Sequence, residues 1–501
     1  TTRAALDRRA VVIARDRAEA IAGIDAVARG DSAASVVTGT ADIEGRVVFV
    51  FPGQGSQWAG MGVELLDTAP VFAERIAACE AALAPYVDWS LTDVLREAAG
   101  APTVDRVDVV QPVSFAIMVA LAALWRSYGV EPAAVIGHSQ GEIAAATVSG
   151  ALGLDDAARV VALRSKALGA ISGKGGMASV FLSAEETERR IARWGSLVLA
   201  VVNGPASTVI AGDKGELDEA VAELAAAGVR VRPVPVDYAS HSPHVEQLRD
   251  ELCALPAPVD ARRPSVPMRS TVTGEWIEAG ALDATYWYEN LRRTVRFEDA
   301  VRAVHGQGHE VFVEISAHPV LVPAVQQTLE SALVVGTLRR GDGGLDRFVN
   351  SLAQAHVRGV PTNLARVLAG SGARRVDLPT YAFQHRRYWL EASIVIGSGE
   401  NAVTDSTEDT VDNIGAHLAS LPPDERLREL VEVVRAQAAT VLGHDTMDEI
   451  EEGSGFFDVG FTSLTAVDLR NRLAEVTGLT LPAMLLFDQP TPGMVAEYLV
   501  G

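Results

Sequence analysis

From Gly45 to about Arg340, short, wholly apolar runs alternate with longer stretches of helical period. Val47-Val48-Phe49-Val50-Phe51 stops at Pro52-Gly53, and Ala134-Val135-Ile136-Gly137 stops just before His138. Runs of this length with no polar alternation predict strands buried on both faces of a parallel sheet. Val113 to Trp125 reads as a buried helix, and a second helical pattern begins by Ala144. Strands alternating with helices imply an α/β fold with a mainly parallel sheet. The pattern changes between Gly176 and Val236. Ala178–Leu182, Leu197–Asn203, Ser207–Ala211 and Val229–Val236 read as strands, with helices over Ala184–Trp194 and Gly215–Ala227. That βαββαβ order predicts a ferredoxin-like insert over residues 176–237. From Ser393 to Pro423 the periodicity disappears into a polar, acidic stretch nearly free of aromatics, which reads as a linker. Helical spacing returns with Leu427, Leu430, Val431, Val434, Ala438, Val441 and Leu442, and further helices are expected near Ser463 and at Pro492.

Length adds that 501 residues hold roughly three domains at ~100–200 residues each. A hydrophobic fraction of 48% with 22% charged residues excludes a disordered or fibrous chain. Cys79 and Cys253 cannot form a disulfide framework and lie in no metal-ligand spacing, which fits a reducing, cytoplasmic setting. The longest strongly apolar run, Phe115 to Trp125, meets Arg126 well before the ~18 residues that a bilayer requires. The chain opens on Thr1 with no secretory signal, and reads as a piece of a longer protein. A formal charge of −22 argues against a nucleic-acid partner. The acidity is concentrated at one end: fourteen acidic residues against five basic ones from Asp424 onward, and five against none from Ser393 to Pro423. An acidic C-terminal module is expected to meet basic surfaces.

The candidate chemistry begins at Gly137-His138-Ser139-Gln140-Gly141, a GxSxG pattern between a predicted strand and a predicted helix. Such a turn lifts a serine hydroxyl clear of the backbone, and the helix beyond it offers N–H groups to a developing oxyanion. The serine needs a base. His241, in Asp237-Tyr238-Ala239-Ser240-His241-Ser242-Pro243-His244, follows a strand, with His244 as its competitor.

Four ordered motifs carry a resemblance. Phe51-Pro52-Gly53-Gln54-Gly55-Ser56-Gln57, the GHSQGE segment, Arg164 in Val161-Ala162-Leu163-Arg164-Ser165-Lys166, and Tyr238-Ala239-Ser240-His241 resemble the acyltransferase domain of modular type I polyketide synthases. The likeness runs from about residue 45 to 390. It implies a hydrolase-like acyltransferase core over residues 45–340, with a post-acyltransferase linker over 341–392. It implies a Ser139–His241 dyad with the imidazole oriented by a backbone carbonyl, an oxyanion hole from the Gln54 and Gln140 N–H groups, and no metal. Asn203, in Asn203-Gly204-Pro205, matches a further position of the site. Arg164 matches the arginine that grips a substrate carboxylate, for which a planar guanidinium fork is suited.

A Tyr-Ala-Ser-His loop accompanies methylmalonyl units in that family and a His-Ala-Phe-His loop accompanies malonyl units; Ser240 leaves room for an α-methyl. Gln140 and the stretch Arg106 to Gln111 resemble the same class. Selection of methylmalonyl-CoA is therefore expected, with a malonyl-specific enzyme as the alternative. A serine esterase of the α/β-hydrolase type is the other rival. It is distinguished by a Ser…Asp…His order and by having no carboxylate-binding arginine.

Phe457-Asp458-Val459-Gly460-Phe461-Thr462-Ser463-Leu464 and Phe487-Asp488-Gln489-Pro490-Thr491-Pro492 resemble an acyl carrier protein over residues 424–501, a small helical bundle. The likeness implies 4′-phosphopantetheine on Ser463, installed by a phosphopantetheinyl transferase. Serine here is also a natural helix N-cap, and that role is expected beside attachment. The family's Asp-Ser-Leu is Thr462-Ser463-Leu464, which puts docking of the transferase in doubt. Residues 1–44 resemble the second half of a ketosynthase–acyltransferase linker, and Leu378 to Leu390 the segment that returns over the ketosynthase. The implied partners are therefore the ketosynthase domain of the same module and a downstream module.

Overall fold

The computed structural model describes residues 6–254, 259–368, 372, 374 and 422–500, apart from 443, 445, 448, 449, 480 and 483. The expected returning segment at 378–390 and most of the acidic linker lie outside the described residues. Two compact units are present, Thr1–Arg29 with Ser35–Val367, and Gly30–Ala34 with Leu368–Gly501.

The first unit is built on a five-stranded, all-parallel sheet in the spatial order Leu333–Gly336, His309–Glu314, Arg46–Phe51, Ala134–Gly137, Met268–Arg269. Val47 through Phe51 are all buried, as a strand sandwiched between helical layers must be. The central helix departs from expectation: it spans Val107–Ser127 and runs through Pro112, where the sequence pattern placed its start at Val113. An interior proline costs about 3 kcal/mol. Burying Val109 and Val110 offsets this at ~1.5–3 kcal/mol each, so packing overrides the breaker. At its full length this helix has the length and composition to cross a membrane, which the shorter apolar run lacked. Some 83% of its most apolar window is buried within the fold.

The insert is ferredoxin-like. Gly175–Val180, Val198–Gly204, Ser207–Asp213 and Val231–Pro233 pair antiparallel around two helices, Ala184–Ile191 and Lys214–Ala226. Its last strand is three residues long where eight were expected. Pro233 and Pro235 have no N–H to give, and the strand sits at the sheet edge where such a defect is tolerated. The opposite edge gains an unforeseen fifth strand, Val295–Arg296, running parallel to Val198–Gly204. This tie brings the chain just before it, including Arg293, to the insert. At the N-terminus, Arg8–Val12 pairs antiparallel with Val36–Thr40, and Val37 packs against Ala353 and Val357 of the helix Leu345–Val357.

The second unit packs helices Pro423–Leu442, Ser463–Thr477, Leu485–Asp488 and Pro492–Val500 around Val434, Ala438, Phe456, Phe461, Leu469, Leu473 and Val495. One expectation is corrected here. The N-cap of the second helix is Thr462, whose side chain accepts from the Thr465 N–H at 3.1 Å while Thr465 returns a bond to the Thr462 N–H. Ser463 is the first helical residue. The capping box thus belongs to the threonine that replaces the family's aspartate, and capping does not account for a serine at 463.

Candidate active site

Ser139 sits in the turn between the strand Ala134–Gly137 and the helix Gly141–Ser149, at the C-terminal end of the parallel sheet. Its φ is +53°, a strained value for a residue with a side chain. The flanking glycines make the turn possible. A Cβ on Gly141 would lie 2.1 Å from the Phe51 carbonyl oxygen, and one on Gly137 would lie 2.2 Å from the Glu142 Cα. No other residue fits at either place.

His241 meets the serine from the loop that leaves the insert: its Nε2 lies 2.8 Å from Ser139 Oγ. It also holds a positive φ, +59°. Its Nδ1 lies 2.8 Å from the backbone carbonyl of Arg293, so the proton sits on Nδ1 and Nε2 presents a lone pair to the hydroxyl. His244 is turned elsewhere, pairing with Asp213 at 2.8 Å. Burial, with the Arg164 charge nearby, pushes His241 down to about 3; burial likewise takes His138 to about 4 against its bond to Asn203. His241 is therefore neutral, able to accept a proton, throughout the physiological range.

A linkage follows. Both imidazoles stay uncharged in the fold but take a proton near 6.5 when unfolded, so the unfolded chain binds more protons below that pH. Their contribution to stability is complete above pH 6.5 and is lost as pH falls. Relative to His241→Gln, the wild-type protein should lose ~2 kcal/mol between pH 6.5 and 5, at 1.36 kcal/mol per pH unit. Urea unfolding at stepped pH measures this, and a pH-independent difference between the two would refute it.

Arg164, on the helix Leu154–Ala167, is 1% exposed. Its Nη1 donates to Gln111 Oε1 at 3.0 Å and its Nη2 to Asn290 Oδ1 at 3.2 Å, while its Nε has no partner among the described residues. No carboxylate among the described residues pairs with it. Burial lowers its pKa to about 10, which leaves it charged at neutral pH. Its direct partners among the described residues are neutral oxygens, with Glu142 near enough to favour its charged form, so the guanidinium has no directly bonded anion.

Tyr238 is buried, and its hydroxyl donates to Gln54 Oε1 at 2.9 Å, joining the loop after the first sheet strand to the histidine loop. Ser240, two residues on, is also buried. Gln140 is the N-cap of the helix behind the nucleophile, where the Gly141, Glu142 and Ile143 N–H groups donate to the His138, Ser139 and Gln140 carbonyls; its side-chain amide is buried without a partner among the described residues. Asn203 accepts from His138 Nε2 at 2.9 Å, so it buttresses the nucleophile's neighbour.

Two side chains were not foreseen, Asn290 and Glu142, and the expected backbone carbonyl behind the imidazole is that of Arg293. Asn290 lies on the buried face of the helix Ala284–Arg292 with Trp287 and Leu291. A polar residue at an apolar position of a helical stripe was its one available signal. Glu142, fully buried, accepts from Thr271 N (2.6 Å), Tyr286 Oη (2.7 Å) and Asn290 Nδ2 (2.9 Å), and burial raises its pKa against those bonds.

The model of the acyl transferase domain family matches residues 48–362, and that of the phosphopantetheine attachment site matches residues 432–499. The chain belongs to the acyl transferase domain family. Relatives of this acyltransferase are polyketide synthases. It is 56% identical to polyketide synthase GfsE of Streptomyces halstedii across 78% of its length, which is 10% of that protein. It is 47% identical to the spectinabilin polyketide synthase system protein NorC of Streptomyces orinoci across 100% of its length, 23% of that protein. The acyltransferase domain from module 8 of the salinomycin polyketide synthase superposes with a TM-score of 0.71 at 57% identity, covering 73% of this chain and 88% of that one. A loading acyltransferase from the avermectin polyketide synthase gives 0.61 at 52% identity, covering 62% and 99%. The chain spans a tenth to a quarter of the length of these two curated relatives.

The attachment-site match brings covalently bound phosphopantetheine with it, and the second unit suits that group. Ser463 opens a fifteen-residue helix whose positive end stabilises a phosphodiester, and the cap itself is provided by Thr462.

Proposed function

We propose that this acyltransferase selects methylmalonyl-CoA, forms an acyl ester on Ser139 and passes the unit to the carrier unit through Ser463. The observation that carries the reading is Arg164, a buried guanidinium with no carboxylate bonded to it among the described residues, joined through Asn290 to the backbone of Ser139. A substrate with a free carboxylate at one end and a thioester at the other satisfies both.

Ser139 Oγ attacks the thioester carbon as His241 Nε2 takes its proton, with the Arg293 carbonyl holding the imidazole in place. The N–H groups of Gln54 and Gln140 receive the oxyanion, each such donor contributing ~3–4 kcal/mol. His241 then returns the proton to the departing CoA sulfur. Phosphopantetheine held on Ser463 would supply the acceptor thiol. His241 acts a second time as base in that transfer, and Ser139 is released with its proton restored. A carbonyl in place of a carboxylate behind the histidine distinguishes this site from the Ser…Asp…His esterases.

The α-substituent rests on Ser240 and Gln140. Phenylalanine at 240 would fill volume that serine leaves open, and one methylene is worth ~1–3 kcal/mol in such a pocket. Competition between malonyl-CoA and methylmalonyl-CoA on protein treated with a phosphopantetheinyl transferase, read by intact and peptide mass, should show the methylmalonyl adduct in roughly tenfold or greater excess on Ser139 and on the arm at Ser463. Malonyl adducts in the majority would overturn the choice of unit, and an arm carried elsewhere would overturn the assignment of Ser463. The ketosynthase and a downstream module are the proposed partners in the complete assembly.

A further inference from the structure

Asn290 touches both halves of the site. Its Nδ2 donates to the Ser139 carbonyl at 3.1 Å and to Glu142 Oε2 at 2.9 Å, so its Oδ1 is the atom that faces Arg164 Nη2, at 3.2 Å. The amide cannot turn over, because the Ser139 carbonyl can only accept and the Arg164 guanidinium can only donate, and Glu142, itself receiving Tyr286 Oη and Thr271 N, takes the second Nδ2 proton. Asn290 is 1% exposed, so no water replaces these bonds. Gln111, 5% exposed, places a second neutral oxygen on Nη1. A carboxylate at either position would hold Arg164 as firmly and would also neutralise it.

We propose that Asn290, with Gln111, is a specificity-determining positioning residue: its locked amide aims the guanidinium without setting an anion directly against it, so that discrimination for carboxyacyl over plain acyl thioesters depends on the neutrality of these two partners. The proposal rests on the reading of Arg164 given above. It makes Glu142 part of specificity at one remove. The carboxylate fixes which end of Asn290 the arginine sees, and the same side chain ties that choice to the nucleophile's own backbone.

Asn290→Asp and Gln111→Glu put an anion against Arg164 at nearly constant volume. Rates of Ser139 acylation by methylmalonyl-CoA and by propionyl-CoA, which differ by one carboxylate, are measured by quenched-flow mass spectrometry. Each substitution should lower the methylmalonyl-to-propionyl ratio of kcat/KM at least tenfold, with the KM for methylmalonyl-CoA carrying most of the change. A merely structural defect would slow both thioesters together and leave that ratio where it was. Asn290→Asp also sets an anion beside Glu142; if it does not fold, Gln111→Glu, which has no bond to Glu142, decides the matter. A wild-type ratio in Gln111→Glu overturns the inference. Wild-type protein that shows no preference for methylmalonyl-CoA would instead overturn the underlying reading of Arg164.

Discussion

Ser139→Ala should abolish the covalent adduct that forms when the protein meets methylmalonyl-CoA. Removing a nucleophile in an assembled serine site typically costs ~10⁴-fold or more, because the base and the oxyanion donors then have nothing to act upon. The turn itself should survive, since alanine keeps the Cβ that already stands at φ +53° and the constraint resides in the flanking glycines. Intact mass separates the outcomes: the wild type gains one acyl group and the variant gains none, with equal thermal stability. An adduct that persists in Ser139→Ala would place the nucleophile elsewhere. His241→Ala should slow acylation by ~10²–10⁴, the usual contribution of a positioned general base.

Arg164→Ala should reverse the substrate preference. Truncating one partner of a buried, hydrogen-bonded charge pair costs about 2–5 kcal/mol, or roughly 30- to 5,000-fold in kcat/KM for a carboxyacyl thioester. Propionyl-CoA forms no such pair and should lose far less, so the ratio of the two shifts by most of that factor. The variant leaves the Gln111 and Asn290 oxygens without their donor, and some loss of stability accompanies it. That loss falls on both substrates equally, which is why the ratio is the measurement. Equal losses for the two thioesters would remove Arg164 from carboxylate recognition.

These two expectations draw on residues that the sequence exposes readily. Ser139 announces itself through glycines that a tight turn requires, and the order of the four motifs then assigns His241 and Arg164. Asn290 and Glu142 gave no comparable signal. One is a polar residue on an amphipathic helix and the other a carboxylate in the first helical turn after the nucleophile, where an ordinary helix also favours acid. The Arg293 carbonyl has no signature at all, since every residue carries one. The strands Met268–Arg269 and Val295–Arg296 are two residues long, too short for any periodicity to reveal. Pro112 misled in the opposite direction, by breaking locally a helix that the core holds together.

By itself, then, the sequence determined the longer local elements, though not all their ends, the nucleophile turn, the βαββαβ order of the insert and the helical character of the second unit. Each of these depends on periods of two or 3.6 residues, or on steric demands at a single turn, and such information is written within a few neighbours along the chain. Tertiary structure supplied the contact behind the Ser139–His241 pairing that the resemblance implied, 2.8 Å across 102 positions of chain, with Nε2 as the ring nitrogen that meets the hydroxyl. It also decided that Arg164 lies in a dry pocket facing two amide oxygens, and that Glu142 orients one of them. Burial and hydrogen-bond direction are properties of closure in three dimensions. They set the charge state of His241 and the unpaired charge of Arg164, and no spacing along the chain encodes either.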